Sequence, residues 1–495
     1  MEFLDPVAKK KKARRLFFGY GLVTILISLA TYILVATAVG YEVFDFRGDV
    51  VQNGLLFLDS KPVSASITVD GKLEDDKTDA KLALNGGEYT ITLNQTGYSS
   101  WTKKITVEGG KVRFVTYPRL IPTTLTQTKL ADLPTNIGFT TQSPDFRWLV
   151  VQQNTNLPAI NIFDLQNIED DPASAVFPPS ILSSVSGNYG SFEVVSWADD
   201  NQHLLLLQKL PNGQQSYLLI DRENLDLSVN LSTVFGVSPS LVSLRDKKKD
   251  KFYMYFATGG LLRVADLSTQ SIGEPILDQV LAYQTSGTDL ILYATTKDAT
   301  SGKVAVKISD EGTSYTMSEL AFDGGNKYFL EFDNFEGSWY YATGSGASDR
   351  VQIYRNPLNF IAAKTPIPAA LLATLRSGVP DSISFSPKPQ RFVMVRSGQS
   401  VAVYDAEEAK SYKYDLPFMA DASAKLSWVD AFHLQSVAGG KLQILEFDGQ
   451  NSRELLSVRG VTPGYFSKDF KNLYSITPTA DASTLDLTSL IVPKN

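Results

Sequence analysis

The sequence predicts a mostly β chain: a single N-terminal transmembrane helix, a small β-sandwich, and a C-terminal β-propeller of eight blades, or seven if one unit is an insertion or a split blade. Three observations predict it. An uncharged apolar run of 26 residues lies near the N-terminus. A stretch of short period-two strands, broken by Asp-Gly and Gly-Gly pairs, follows it. From about residue 138 a strand-pair unit repeats every 43 to 57 residues. The expected division is a basic cytoplasmic tail over 1–15, a transmembrane helix over 16–41, a juxtamembrane linker over 42–53, a sandwich over 54–120 and a propeller over 121–495.

Composition narrows the chemistry. A chain of 495 residues exceeds one ordinary core. It has no cysteine, which removes disulfides, thiol nucleophiles and Cys-ligated metals. Only His203 and His433 are histidines, leaving little room for a His-rich metal centre or a Ser–His–Asp relay. Residues 1–41 hold six cations (Lys9 to Lys12, Arg14, Arg15) against Glu2 and Asp5, a net +4, so the total of −7 leaves −11 on the rest. An acidic body argues against nucleic acid, whose phosphates need a basic face.

Leu16 to Tyr41 carries no charge. A bilayer core needs about 20 helical residues, and this run spans it with some to spare. Phe17 and Tyr41 fall near the two interfaces. The run KKKKARR precedes the span and YEVFDFRGD follows it, so the Lys/Arg bias places the N-terminus in the cytoplasm and the bulk outside. A cleaved signal peptide is the competing reading, with Ala36-Thr37-Ala38 as a small-residue site, but the apolar run is much longer than an h-region. The basic run reads as topology rather than as a specific anionic-lipid site.

Residues 54–120 read as short strands with no helical period. An apolar strand turns at Ser60–Pro62 and returns as SASITV before the Asp70-Gly71 hairpin signal. Gly86-Gly87 turns into EYTITL, and KKITVEGGKVRFVTY reads as a hairpin across Gly109-Gly110. Pro62, Val69-Asp70-Gly71, Gly87-Glu88-Tyr89 and Gly97-Tyr98, with the strand at 103–107, resemble the PEGA domain, a small β-sandwich of bacterial and archaeal surface proteins. KPVSA stands where the namesake Pro-Glu-Gly-Ala would be. The resemblance implies extracytoplasmic placement and a spacer or adhesive role.

The repeat carries the rest. Strands ending at Asp164, Asp221, Asp266, Asp310, Arg355, Asp405 and Asp448 mark seven units, and YFSKDFKNLYSI opens an eighth. A period of 40–50 built from short β-branched runs is that of propeller blades. Turns such as SPDFRW (143–148), SWADDNQH (196–203), SPKPQRF (386–392) and FSKDFKN (466–472) lead into each blade's second strand, with Pro and Asp shaping the turn. This is similar to the TolB and WD-repeat-like propellers, whose blades carry Ser-Pro-Asp-Gly there; the glycine is missing in every copy. TLTQTKLADL (124–133) is a candidate to complete the last blade and remove an open edge. PAALLATLRS (368–377) reads as a turn or two of helix in a loop.

No constellation for chemistry stands out. The acid clusters Asp75-Asp76, Glu169-Asp170-Asp171 and Asp199-Asp200 lack a spaced calcium loop and read as solvated carboxylates. His203 and His433 occupy similar places in their units; a ligand pair is one reading, and strand-edge histidines at the blade surface are the simpler one. RDKKKDK (245–251) reads as a charged hairpin tip rather than an interaction patch. Trp148, Trp197 and Trp428 read as inter-blade core, not a sugar-stacking platform. Sialidase boxes, a G-x-S-x-G elbow and phosphate-binding glycine patterns are all missing. No catalytic, cofactor-binding or metal residue is assigned, and no cofactor is expected. The expected function is a membrane-anchored extracytoplasmic binding or scaffold protein of the cell envelope, not an enzyme. Its expected partners are an unknown protein or envelope component and the lipid bilayer through residues 16–41, with no nucleic acid. The alternatives are an envelope hydrolase or lyase using carboxylates on the propeller face, and a soluble exported propeller after signal cleavage.

Overall fold

The computed structural model describes residues 6–38, 41–42, 51–287, 289–325, 327–362 and 370–492. Most of the expected linker 42–53 lies outside the described residues. Helix α1 runs Pro6–Ala38. Its Lys, Arg and Ala residues are strong helix formers, so the basic run is helical rather than a separate tail. Within it, Lys9–Val35 is long and apolar enough to cross a membrane and is not buried by the rest of the chain. Tyr41 lies past the helix, in strand β1 (Tyr41–Glu42).

The chain forms two compact units, residues 1–124 with 491–495, and residues 125–490. In the first unit two sheets form a sandwich. One contains β1, β2 (Val51–Leu58), β5 (Ala80–Asn85) and β8 (Val112–Val115); the other contains β3 (Ser66–Val69), β4 (Lys72–Lys77), β6 (Gly87–Asn94) and β7 (Trp101–Val107). Between them lie Leu56, Leu58, Ile67, Ile91, Leu93, Trp101 and their neighbours, nearly all fully buried. β3 and β4 form the expected two-residue hairpin, with Asp70 at φ 47° and Gly71 at φ 84°. Two other expected turns are crossovers between sheets. β2 and β3 belong to different sheets, and the passage is fixed by buried hydroxyls: Ser60 and Thr78 share a bond of 2.6 Å, and Ala65 N donates to Thr78 Oγ1 at 2.9 Å. β7 and β8 are not a hairpin either; β8 pairs parallel to β2. Gly109 serves close approach there, since a Cβ on it would stand 2.7 Å from Gln52 O.

The second unit is a propeller. Of ten four-stranded sheets among the described residues, eight belong to it. Blades 1–8 cover 140–176, 191–230, 241–277, 280–321, 328–375, 382–415, 427–457 and 465–489. The last is completed by β9 (Gln127–Leu133), paired antiparallel through Leu485↔Ala131 and Leu487↔Thr128. The ring closes: blade 8 residues Tyr474, Ile476 and Leu485 pack with blade 1 residues Leu149, Val151 and Phe163. Similar apolar seams join the other neighbours, as between Val150 and Leu204 or Phe332 and Leu292. Residues 371–375 of the anticipated loop helix are a strand, the fourth of blade 5, while 368–369 lie outside the described residues. Ala373 and Leu375 pack in the seam with blade 6 and Leu371 in the seam with blade 4, across a bulge opposite Ile353 and Tyr354, and this packing outweighs helix propensity.

The recurrent motifs have a common geometry. Ser143, Ser386 and Ser467 each accept, through Oγ, the N–H of the residue that starts the second strand: Trp148 at 2.9 Å, Phe392 at 3.2 Å and Asn472 at 2.9 Å. Where glycine would sit, Phe146, Gln390 and Phe470 still take φ of 68°, 61° and 60°. The closing aspartate binds the cation that opens the second strand and caps the next turn. Asp164 takes Arg147 at 2.6 Å and Gln166 N at 3.0 Å; Asp405 takes Arg391 at 2.6 Å and Glu407 N at 3.0 Å.

Candidate functional site

The first strands of the blades surround the central channel: Thr140–Gln142, Ser191–Trp197, Leu241–Leu244, Val280–Thr285, Tyr328–Phe335, Ser382–Phe385, Ser427–Trp428 and Tyr465–Phe466. Polar side chains tie neighbouring first strands together. Trp197 Nε1 donates to Thr141 Oγ1 at 2.9 Å, and Trp428 Nε1 to Ser384 Oγ at 3.1 Å. Ser243 and Tyr283 share a hydroxyl bond of 3.0 Å, Tyr465 bonds Thr140, and Gln284 donates to Glu331 at 2.8 Å. Each satisfies a polar group that would otherwise be left in a poorly hydrated channel wall.

Where these strands begin, on the side of blades 7, 8, 1 and 2, the channel opens into a cavity of about 860 Å³. Ile137, Phe139, Phe192, Val194, Val437 and Val461 give it apolar walls. Gln152 and Gln435 stiffen its floor. Gln435 clamps the Gly464 backbone from both sides, accepting its N–H at 2.9 Å and donating to its carbonyl at 3.1 Å. Gln152 accepts from Phe139 N at 3.3 Å, and a Cβ on Gly138 would stand 1.9 Å from that amide oxygen. Glu193 is paired with Lys209 at 2.7 Å. Lys425 and Arg459, also in the lining, have no carboxylate within ion-pair distance among the described residues. Ser436 is only 2% exposed, and its hydroxyl has no hydrogen-bond partner among the described residues.

A second feature lies on blade 5. Glu331 projects from the first strand beside Gln284. Burial, with Asp333 nearby, pushes its carboxyl up to about 7 despite the Gln284 bond. Burial also raises Asp333, while Lys247 and Lys388 partly offset it.

The residues singled out from sequence fall elsewhere. His203 and His433 are buried, 7% and 4% exposed, rather than at the blade surface. Each turns Nδ1 to the acid three residues before it, Asp200 at 2.7 Å and Asp430 at 2.8 Å, and so locks its own turn. They occupy blades 2 and 7 and do not meet, because each is consumed by a local cap. The tryptophans are inter-blade core as expected: Trp197 is buried between blades 1 and 2, Trp148 packs against the same core under Arg222 of the next blade at 3.9 Å, and Trp428 stacks on Phe392 of blade 6 at 6.2 Å. In the basic run, Arg245 pairs with Asp289 and Lys247 with Asp199 at 4.0 Å. Asp75 and Asp76 lie on the exposed strand β4, and Glu169 to Asp171 are exposed. No group of three or more acidic or histidine side chains is placed to hold a metal among the described residues. Sequence reading missed the clamping glutamines. Their signal was present, as a glutamine inside an otherwise apolar strand in WLVVQQN, HLLLLQK and HLQSV.

Residues 53–118 match the PEGA domain. That PEGA match covers the sandwich core from β2 through β8. No curated protein matches the chain by sequence. Among solved structures, the chain is similar to the Cps50 (Swd1) β-propeller domain of Myceliophteria thermophila, at 13% identity and TM-score 0.39, covering 68% of this chain and 100% of that one. Dihydro-heme d1 dehydrogenase NirN matches at 12% identity and TM-score 0.40, covering 66% and 67%. An oligogalacturonate lyase from Vibrio parahaemolyticus matches at 10% identity and TM-score 0.37, covering 74% and 99%. At these identities and scores none of these likenesses bears on activity.

Proposed function

We propose that this chain is a membrane-anchored, extracytoplasmic binding or scaffold protein of the cell envelope, and not an enzyme. Helix α1 holds it in the bilayer with the basic end in the cytoplasm, the PEGA-like domain follows outside, and the propeller presents its channel mouth to a protein or envelope partner. The observation that carries the reading is that mouth. It combines apolar walls with Lys425 and Arg459 left without acidic partners, on a body of net negative charge.

A photoreactive side chain at Lys425 in intact cells tests it. One dominant protein adduct, lost when Arg459→Glu is added, supports the reading. Turnover of a glycan or peptide by purified residues 42–495 overturns the non-enzyme part. The mature N-terminus tests the anchor, because a chain starting near Val39 would mean cleavage and a soluble propeller. Glu331 favours a second reading, a carboxylate-dependent hydrolase or lyase, since a carboxyl raised to about 7 is poised for proton transfer. Activity abolished by Glu331→Gln would establish it.

A further inference from the structure

We propose that the outward face of the β1–β2–β5–β8 sheet lies flat on the lipid bilayer, so that the PEGA-like domain is a membrane-surface module as well as a spacer. The inference rests on the reading of α1 as a retained membrane anchor. Antiparallel sandwich sheets ordinarily present polar residues to water. The β3–β4–β6–β7 sheet does so: Thr92 bonds Thr102 at 3.1 Å, and Lys104 pairs with Glu88 at 3.3 Å. The other sheet does the opposite. On β2, Leu56 and Leu58 point to the core, which leaves Leu55 and Phe57 facing out. Across the ladders Leu55 stands beside Val112 and Ala83, and Phe57 beside Phe114 and Lys81. The Phe57 and Phe114 rings stack at 5.0 Å, and Lys81 Nζ sits 5.9 Å from the Phe57 ring centre. Phe114 remains 58% exposed and Val112 50%.

Three observations select the bilayer as the occupant. The first is attachment. Helix α1 ends at Ala38, and β1 pairs with β2 through Tyr41↔Gln52 and Glu42↔Val51. The sheet with the apolar face is therefore the one into which the membrane helix feeds. Phe57 lies five residues beyond Gln52, about 17 Å along the strand at 3.3 Å per residue, within reach of the lipid surface if the sheet lies flat. The second is chemistry. Aromatic rings and short aliphatic chains flanked by a lysine with a long apolar stem suit the headgroup boundary, where the rings enter acyl chains and the ammonium meets phosphate. Asp59 bounds the patch at its far end; burial and a bond to Asp79 raise its carboxyl, easing its approach to lipid. The third is size. The exposed apolar area is roughly 300 Å², well short of the ~800 Å² per partner of a stable protein interface.

The test uses the full chain in vesicles of phosphatidylcholine and phosphatidylglycerol containing bromolipid. Because the chain has no cysteine, one introduced thiol is a unique labelling site. An environment-sensitive fluorophore is placed in turn at Phe114→Cys, at Thr106→Cys on the opposite sheet and at Leu29→Cys in α1. The expected result is quenching by roughly twofold or more at Leu29 and Phe114, and little at Thr106, as for a face buried at the headgroup boundary. Quenching at Leu29 with Phe114 matching Thr106 overturns the docking and leaves the anchor standing. No quenching at Leu29 removes the anchor, and the docking falls with it. A Phe114 label shielded from water but not quenched by lipid, with energy transfer between labelled copies, assigns the face to a second chain and overturns the proposal.

Discussion

The backbone N–H of Val492 donates to the hydroxyl of Tyr98 at 2.7 Å. Residues at the far end of the sequence thus belong to the PEGA-like unit. Val492 also sits against Gly97, where a Cβ would meet its side chain at 3.2 Å, and it packs on the sandwich core. Tyr98→Phe removes the bond and keeps the ring. The expected cost is about 0.5–1.5 kcal/mol, read as faster amide exchange at residues 97–99 and 492. Unchanged exchange would mean the contact carries no stability.

Gln390 occupies a left-handed turn position, φ 61°, and makes no side-chain hydrogen bond among those described. Gln390→Gly removes the conformational penalty without deleting a contact. A gain of about 0.5–1 kcal/mol in unfolding free energy is expected. Phe470→Gly, at the same turn position in blade 8, loses the ring stacked on Phe466 at 4.8 Å and is expected to destabilise.

The Arg391–Asp405 pair is enclosed, with side-chain exposures of 12% and 0%. Asp405→Ala leaves the Glu407 and Glu408 N–H groups unmatched and the Arg391 guanidinium with only the Glu407 and Glu408 carboxylates. The expected loss is about 1–3 kcal/mol in a denaturant melt of the detergent-solubilised chain. Glu454→Gln breaks an exposed pair with Lys441, 52% and 47% exposed, and leaves stability almost unchanged.

Glu331 makes stability depend on pH. Its folded carboxyl is raised to about 7, whereas an unfolded glutamate ionises near ~4.3. Between those values the folded chain holds a proton that the unfolded chain has released, so stability falls as pH rises through this window and stays low above it. Glu331→Gln removes the slope. At pH 8 the variant should be more stable by on the order of 1–3 kcal/mol, and at pH 4 nearly equal. Parallel melting curves for both proteins across pH 4–8 would contradict this assignment.

What could be read in the amino-acid order follows from the range of each interaction. The blade turns were legible because Ser143, Asp145 and Trp148, or Asp200 and His203, act within a few residues of one another. The closing strand β9 was legible as a strand of the right period next to an open edge. The partner of a strand was not: alternation places Phe114 and Val112 on one face of β8, yet only packing shows that β8 lies parallel to β2 rather than against β7. The channel wall was hidden for the same reason. Trp197 and Thr141, Gln284 and Glu331, or Gln435 and Gly464 stand 56, 47 and 29 residues apart.

By itself the sequence determined the apolar helix, the β character of everything after it and the repeat that makes blades, because local periodicity and turn chemistry encode these. The tertiary structure decided which residues form a site. Ring closure brings side chains from blades 7, 1 and 2 and from the loop that leads into blade 8 to a single mouth, and crossing between sheets leaves Phe57 and Phe114 facing outward. Both outcomes depend on which distant strands become neighbours, and short-range preferences do not specify that.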